Sequence, residues 1–569
     1  MREYQHLVAE DPLTTFDRFA QSWRAMALVA LIALASALFG TASVPVMDRD
    51  EARFAQATRQ MVESGDYVRI RVQDVERSKK PVGIYWLQAA SVWLFEPVAG
   101  ADNTIWPYRF PSALGAVLAA LAALWAGRAL IGARAAFIGA ALFASSVLLG
   151  FEGMTAKTDA ALVGAVAVMM GALAHVRLGG AHMKRMALLF WAALAVGVLI
   201  KGPVAPAVVA LTLFALFLWE RRWQWMKPLL WWPAPVLAAL IVTPWLLAIS
   251  IETQGRFFGG MSADIGPKLA GGSEGHFAWP GYHLALLALL IFPASYALPF
   301  ALRLGAQTFK APRDDPGFAS MRFLLAWALP AFLLFELIPT KLPHYTLPTY
   351  PAIALICGAG VVTALREHWR LTHAIGLAVF ALAGAGMITA WSVGAAFSGE
   401  DIANATARVL PAALAGVLIL VAALLLLGLV RRVPVRLATG VVCALVLSFG
   451  FRQVILPNAH GLFPSAEAAT ALRDDRLGAQ PLWIVGYRET SLVFLTRTDA
   501  RLAAAADVGA HAKAGDAIVV EQDELAALQD ALKARGLVFE QSPKRGKVTG
   551  INLGNGRDVF LFIGVAAPN

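Results

Sequence analysis

About thirteen apolar runs, each long enough to cross a bilayer as a helix, set the pattern of this chain. They begin near Ala25, Tyr108, Ala135, Ala160, Met186, Pro203, Pro233, Tyr282, Phe323, Thr346, Leu371, Leu410 and Leu437. The polar stretches between them alternate in charge. One set holds Arg128 and Arg134; Arg177, Lys184 and Arg185; Arg221, Arg222 and Lys227; Arg303, Lys310, Arg313 and Arg322; Arg366 and Arg370; and Arg431, Arg432 and Arg436. These ends are expected on the cytoplasmic side. The alternate set, residues 47–107, 151–159, 201–202, 252–281, 339–345 and 395–407, is expected on the other side. The first run lacks a clear small-residue cleavage site and is expected to stay as a helix. With the N-terminus inside, the tail then lies outside.

Two segments break the membrane pattern. Glu51 to Ser64 carries Phe54, Ala55, Thr58, Met61 and Val62 at helical spacing, which predicts an amphipathic helix on the membrane surface. Beyond residue 456 the composition changes. Residues 481–485, 517–520 and 559–563 predict strands, and Glu524 to Arg535 a helix. The expected architecture is a mostly α, polytopic membrane domain over 1–456 and a small α/β domain over 457–569. Within the tail, Gly486 to Ser491 could reach back to the active site; the plainer reading is an exposed strand-to-helix turn.

Composition agrees. Of 569 residues, 58% are hydrophobic and 15% charged, which excludes an ordinary soluble protein. The net charge of +10 sits largely in short loops, so it reports topology and no nucleic-acid partner. Cys357 and Cys443 both lie inside apolar runs and form no disulfide framework or metal set.

The candidate chemistry gathers on the outer side. Asp48, Asp50, Glu51 and Arg53 crowd the mouth of the first run, and Asp50 and Arg53 share one helical face. The same loop contains Arg77-Ser78-Lys79-Lys80-Pro81, and Lys157 and Asp159, Lys201-Gly202-Pro203, Asp264, Lys268, Glu274 and His276, and Lys341 with His344 and Tyr345 follow in the other outer segments. A lysine at a helix end often only reaches for lipid phosphate, and an acid such as Asp159 often only caps a helix. Lys80, Lys201, Lys268 and Lys341 together, each at an outer turn or helix end, favour a shared anionic ligand. Cations hold a phosphate and a carboxylate accepts a proton or steadies positive charge.

The ordered set Asp50-Glu51-Ala-Arg53, Lys80-Pro81 running into Tyr85-Trp86-Leu87, Lys157-Thr-Asp159, Lys201-Gly202 and Lys341-Leu-Pro-His-Tyr345 resembles the bacterial aminoarabinose transferases. That family belongs to the protein-O-mannosyltransferase-like group with the GT-C fold. The resemblance implies an inverting glycosyltransferase of the bacterial inner membrane with a periplasmic active site. It implies a polyprenyl-phosphate-linked sugar as donor and a lipid, such as lipid A, as acceptor. By motif, Asp50 and Asp159 would be the functional acids. Lys80, Lys201 and Arg53 would hold the donor phosphate, and Glu51, Lys341 and Tyr345 would line the donor site.

Two positions depart from that family. Lys79 stands where it places Glu, and Asp264 stands where it places His; both are tied there to a metal. No cofactor is therefore certain. A divalent metal held by Asp264, Glu274 and His276 is one expectation, and a flexible lid over residues 269–276 is the other. A monomer among membrane lipids is expected. Rival readings are a protein or polysaccharide acceptor, a lipid-linked sugar flippase, and a membrane scaffold.

Overall fold

The computed structural model describes residues 15–100, 103–180, 182–270, 277–367, 370–397, 405–552 and 556–569. Among these, nine helices are long and apolar enough to cross a membrane, and three bent helix pairs raise the number to twelve. The shorter apolar helix Val204–Glu220 occupies the remaining expected run. The bends fall between Thr15–Gln21 and Trp23–Leu38 (71°), Ala133–Ala144 and Val147–Gly153 (56°), and Tyr282–Leu290 and Ala294–Lys310 (113°).

Close helix approach fixes the bundle where the outer residues converge. A Cβ on Gly115 would stand 2.6 Å from the Cα of Ala161, so only glycine lets helix Trp106–Ile131 touch the backbone of Asp159–Leu178. A Cβ on Gly83 would lie 2.7 Å from the Leu199 carbonyl. That contact draws helix Gly83–Ala99, and Lys80 just before it, against the end of Met183–Lys201.

The expected surface helix spans Asp50–Ser64 and ends at left-handed Gly65. A short antiparallel pair, Arg71–Val72 with Val75–Glu76, follows it. Residues 256–270, expected as part of an outer loop, form the helix Arg256–Ala270. Phe257, Met261 and Ile265 recur every four residues along it, which supplies an apolar stripe.

The tail holds one mixed sheet in spatial order Arg501–Ala503, Leu482–Val485, Ala517–Glu521, Asp558–Pro568 and Leu537–Gln541. Lys547–Ile551 pairs with the other half of Asp558–Pro568. Leu482, Ile484 and Val519 enter one apolar cluster while Trp483, Val485, Ile518 and Val520 enter another. The period of two thus feeds two cores, because helices cover both faces.

This tail is docked on the membrane domain. Arg59 Nη1 donates to the Phe494 carbonyl at 2.9 Å, Gln56 Nε2 to Thr498 Oγ1 at 3.0 Å, and Asn103 Nδ2 to the Leu495 carbonyl at 2.8 Å. Gly486 to Ser491 is exposed only in part, at Gly486 and Arg488, and its end turns inward. Ser491 is fully buried and its hydroxyl donates to Asp48.

Candidate active site

The start of the Asp50–Ser64 helix is held by a buried ion pair. Arg109 is fully buried and Glu51 only 1% exposed. Arg109 Nε donates to Glu51 Oε1 and its Nη2 to Oε2, both at 2.8 Å. The remaining guanidinium protons go to the carbonyls of Thr41 (2.9 Å), Val44 (2.7 Å) and Pro45 (2.9 Å). Glu51 also accepts from the backbone of Met47 at 2.9 Å and Ala156 at 2.7 Å. Every donor and acceptor is met, which is what makes a buried pair tolerable. The knot fixes three strips of chain together: residues 41–47, the helix start, and the turn before Asp159. Between the first two, Arg49 sits at φ 65°, a conformation costly for a side-chain-bearing residue.

Asp50, next to Glu51, faces the opposite way, into a cavity of about 410 Å³. Arg77 Nη2 stands 3.8 Å from its carboxylate. Burial works against the charge on Asp50, but Arg77 first and Lys157 next outweigh it, so the carboxyl is held below its ordinary range. Asp159 is the first residue of its helix and makes no side-chain cap. Its Oδ1 takes the Lys201 ammonium at 2.5 Å. Lys157 Nζ lies 3.1 Å from Glu152. Burial pulls Lys157 down, yet Glu152 and Asp159 together raise it above the usual lysine range. His344 bridges the two acids, with Nδ1 3.5 Å from Glu152 and Nε2 3.8 Å from Asp159. The Tyr345 ring receives Lys201 at 5.5 Å from its centroid.

On the far wall, Asp264 accepts from Lys80 at 3.1 Å and from Lys268 at 2.8 Å, with Lys79 at 3.7 Å. Burial works against its charge, but Lys80 and Lys268 outweigh it and hold the carboxyl below its ordinary range. Lys80 is pushed down to about 8, first by burial, with Asp264 opposing and Lys268 and Lys201 adding to the shift. Six cationic side chains and three carboxylates line the cavity, so it suits an anion. Leu334, Phe335 and Ile338 make an apolar side continuous with it.

Asp50, Asp159, Lys80, Lys201, Tyr345, Asp264 and Lys268 therefore share one cavity, as lining residues. Three other sequence-derived residues lie elsewhere. Glu51 is spent in the knot with Arg109. Arg53 lines an adjoining cleft between the 72–79 segment and the tail. Lys341 is only 3% exposed and its ammonium donates to the Ile338 carbonyl at 2.5 Å. Glu274 and His276, and most of the expected lid, lie outside the described residues. Sequence reasoning named Arg77 only as part of the Arg77–Pro81 stretch, without a role, and missed Glu152 and Arg109. Arg77 opens the very lysine cluster that was singled out, and its charge was the available signal. Glu152 and Arg109 sit inside or at the end of apolar runs, where nothing marks their partners.

Glu152, Asp159 and His344 bring ligand atoms within 4.8 Å of one another. The donor set suits a divalent ion poorly, because each acid already faces an ammonium, Lys157 or Lys201. Asp264 is likewise neutralised by lysines. A metal would have to displace these cations.

Fold and site together define a polytopic membrane protein of the GT-C fold. Its resemblance to the aminoarabinose transferases holds in sequence over about three-fifths of the chain and in fold over 94% of it. The sequence profile of the dolichyl-phosphate-mannose-protein mannosyltransferase family matches residues 79–247. The undecaprenyl phosphate-alpha-4-amino-4-deoxy-L-arabinose arabinosyl transferase of Pseudomonas aeruginosa PAO1 is 32% identical over 351 residues, 59% of this chain and 60% of that one. Its Edwardsiella ictaluri counterpart is 28% identical over 340 residues, 58% of each. The matched region thus spans less than two thirds of these relatives. The crystal structure of ArnT from Cupriavidus metallidurans bound to undecaprenyl phosphate superposes with a TM-score of 0.73 at 21% identity. It covers 94% of this chain and 97% of ArnT.

Proposed function

We propose that this chain is an inverting glycosyltransferase that moves a sugar from a polyprenyl-phosphate carrier to a lipid acceptor. The observation that carries the reading is the amphipathic cavity: a cation-rich polar end holding Asp50 and Asp159, joined to an apolar wall. A polyprenyl phosphate needs both. Its phosphate lies against Lys80, Lys201 and Arg77, and its tail runs along Leu334, Phe335 and Ile338. As the sugar C1–O bond breaks, negative charge builds on the leaving phosphate, and these fixed cations stabilise it. Asp159, clamped by Lys201 and His344, orients that lysine.

Asp50 faces the same space as an ionised carboxylate. It can take the proton of a hydroxyl acceptor, but its lowered proton affinity makes it a weak base. The arrangement therefore favours an acceptor that is already ionised, such as a lipid phosphate, with Asp50 orienting the sugar. The arginine-rich helix ends at the far side support a periplasmic site in the inner membrane. The polyprenyl-phosphate-linked donor agrees with the undecaprenyl phosphate-linked sugar named for the Pseudomonas relative, and lipid A is one acceptor that carries a lipid phosphate.

The test is mass spectrometry of total glycolipid from a deletion strain complemented with wild type or Asp50→Asn. Wild type restores a mass of one sugar on a lipid. With Asp50 orienting the sugar, Asp50→Asn lowers transfer by about 10²-fold while the purified protein melts as wild type does. A fully active Asp50→Asn protein sinks the assignment. An unchanged glycolipid profile moves the acceptor to protein or polysaccharide.

A further inference from the structure

A second cavity, of about 490 Å³, lies at the opposite end of the bundle and has no part in the chemistry above. It opens where helix Tyr350–Glu367 ends, Arg370–Ala396 begins, Ala405–Leu429 ends and Val433–Phe449 begins. His344 and Tyr345 of the first cavity precede the start of helix Tyr350–Glu367, whose 18 residues rise about 27 Å. The two cavities thus border different leaflets.

The walls of this cavity are apolar, with Leu142, Phe300, Phe380 and Leu427 among them. Its mouth is ringed by Arg370, Arg431 and Arg436. Among the described residues none of the three forms an ion pair. Arg436 spends its Nε on the Val430 carbonyl at 2.5 Å, which leaves its two Nη groups for a ligand. Deeper in, the Tyr296 hydroxyl lies 2.6 Å from His373 Nδ1. With Tyr296 as donor, the imidazole proton sits on Nε2, a neutral donor behind the arginines. Three guanidinium groups at the water boundary and an apolar recess behind them match one kind of ligand: a phosphodiester headgroup with acyl chains attached. A free anion would use the rim and leave the recess empty. A neutral lipid would use the recess and leave the arginines unpaired.

We propose that this cavity binds an anionic glycerophospholipid of the leaflet bordering the arginine-rich end. Its phosphate sits among Arg370, Arg431 and Arg436, and its acyl chains lie between the helices that end there.

The test is native mass spectrometry of the full chain in detergent, titrated with phosphatidylglycerol, phosphatidylcholine or inorganic phosphate. Wild type is expected to retain one phosphatidylglycerol in preference to phosphatidylcholine. Arg370→Gln/Arg431→Gln is expected to bind it about thirtyfold more weakly, at about one kcal/mol per arginine. Both arginines are exposed and far from the first cavity, so melting temperature and sugar transfer serve as folding controls. Arg436→Lys, which keeps the charge, is expected to retain the lipid. Equal retention of phosphatidylcholine overturns the proposal, as does undiminished binding by the double variant. Competition by inorganic phosphate at the lipid's own concentration assigns the rim to a free anion and overturns the lipid.

Discussion

Asp50 and Glu51 are neighbours of the same chemistry with opposite duties, and burial of their partners decides which is which. Glu51 meets Arg109 in a dry, fully bonded pair, whereas Asp50 is about half exposed in the cavity, with Arg77 3.8 Å away. Removing one member of such a buried pair strands the other charge, at about 3–5 kcal/mol. Arg109→Met is therefore expected to lower the melting temperature strongly in detergent, while Asp50→Asn leaves it near wild type. Equal melting of the two variants would remove the distinction. Lys80 makes a second prediction, in pH. Its ammonium is pushed down to about 8, so it is charged below that pH and neutral above it. Donor phosphate needs the charged form. KM for the donor is expected to rise between pH 7 and 9, and Lys80→Arg, which keeps its charge there, to flatten that rise. A wild-type KM independent of pH over that range would count against Lys80 as a phosphate ligand. Asp50, Lys80, Asp159 and Lys201 were legible in the sequence because each charge stands at the end of an apolar run, where its cost demands a reason. Arg109 was not, because its partners Glu51 and the carbonyls of residues 41–45 lie about sixty positions away, and no spacing rule reports that distance.

At the scale of elements, apolar runs revealed the membrane helices but not their bends. The 56° break before Val147–Gly153 turns Glu152 inward to Lys157, and a run of hydrophobic residues carries no mark of that turn. Helix Arg256–Ala270 was hidden for another reason. Gly259, Gly260, Gly266 and Pro267 read as loop, yet the stripe Phe257, Met261 and Ile265 packs the segment against the cavity and overrides local propensity. Asp264 is the polar tie of this helix, joining it to Lys80 across the cavity. Asp264→Asn removes the charge and keeps the shape. It is expected to speed hydrogen exchange over residues 256–268 and to raise donor KM, because Lys80 and Lys268 then repel each other. Unchanged exchange in that segment would show that packing alone holds the helix.

At the scale of the whole molecule, the tail is joined to the site by Asp48, two residues before Asp50. Ser491 donates to Asp48, Ser465 lies 2.6 Å from Ser491, and Tyr487 lies 2.8 Å from Ser465. This row of hydroxyls ends on one carboxyl whose burial pushes it up to about 6, only partly offset by the Ser491 bond. The sign follows from the two states. Undocked, Asp48 regains its ordinary value of 3.8; docked, it holds its proton up to about 6. The docked state therefore binds more protons between these values, so docking is strongest below about 4 and weakens as pH rises to about 6, then levels off. Hydrogen exchange over helix Thr490–Leu495, corrected for its intrinsic pH dependence, is expected to quicken from pH 4.5 to 6.5 and to hold steady from there to pH 8. Asp48→Asn carries no ionisable proton and is expected to give a flat profile at the slow, low-pH rate. A flat wild-type profile would mean that the tail is held by its other contacts, Arg59 with Phe494 foremost, and that Asp48 only fills space beside the active site.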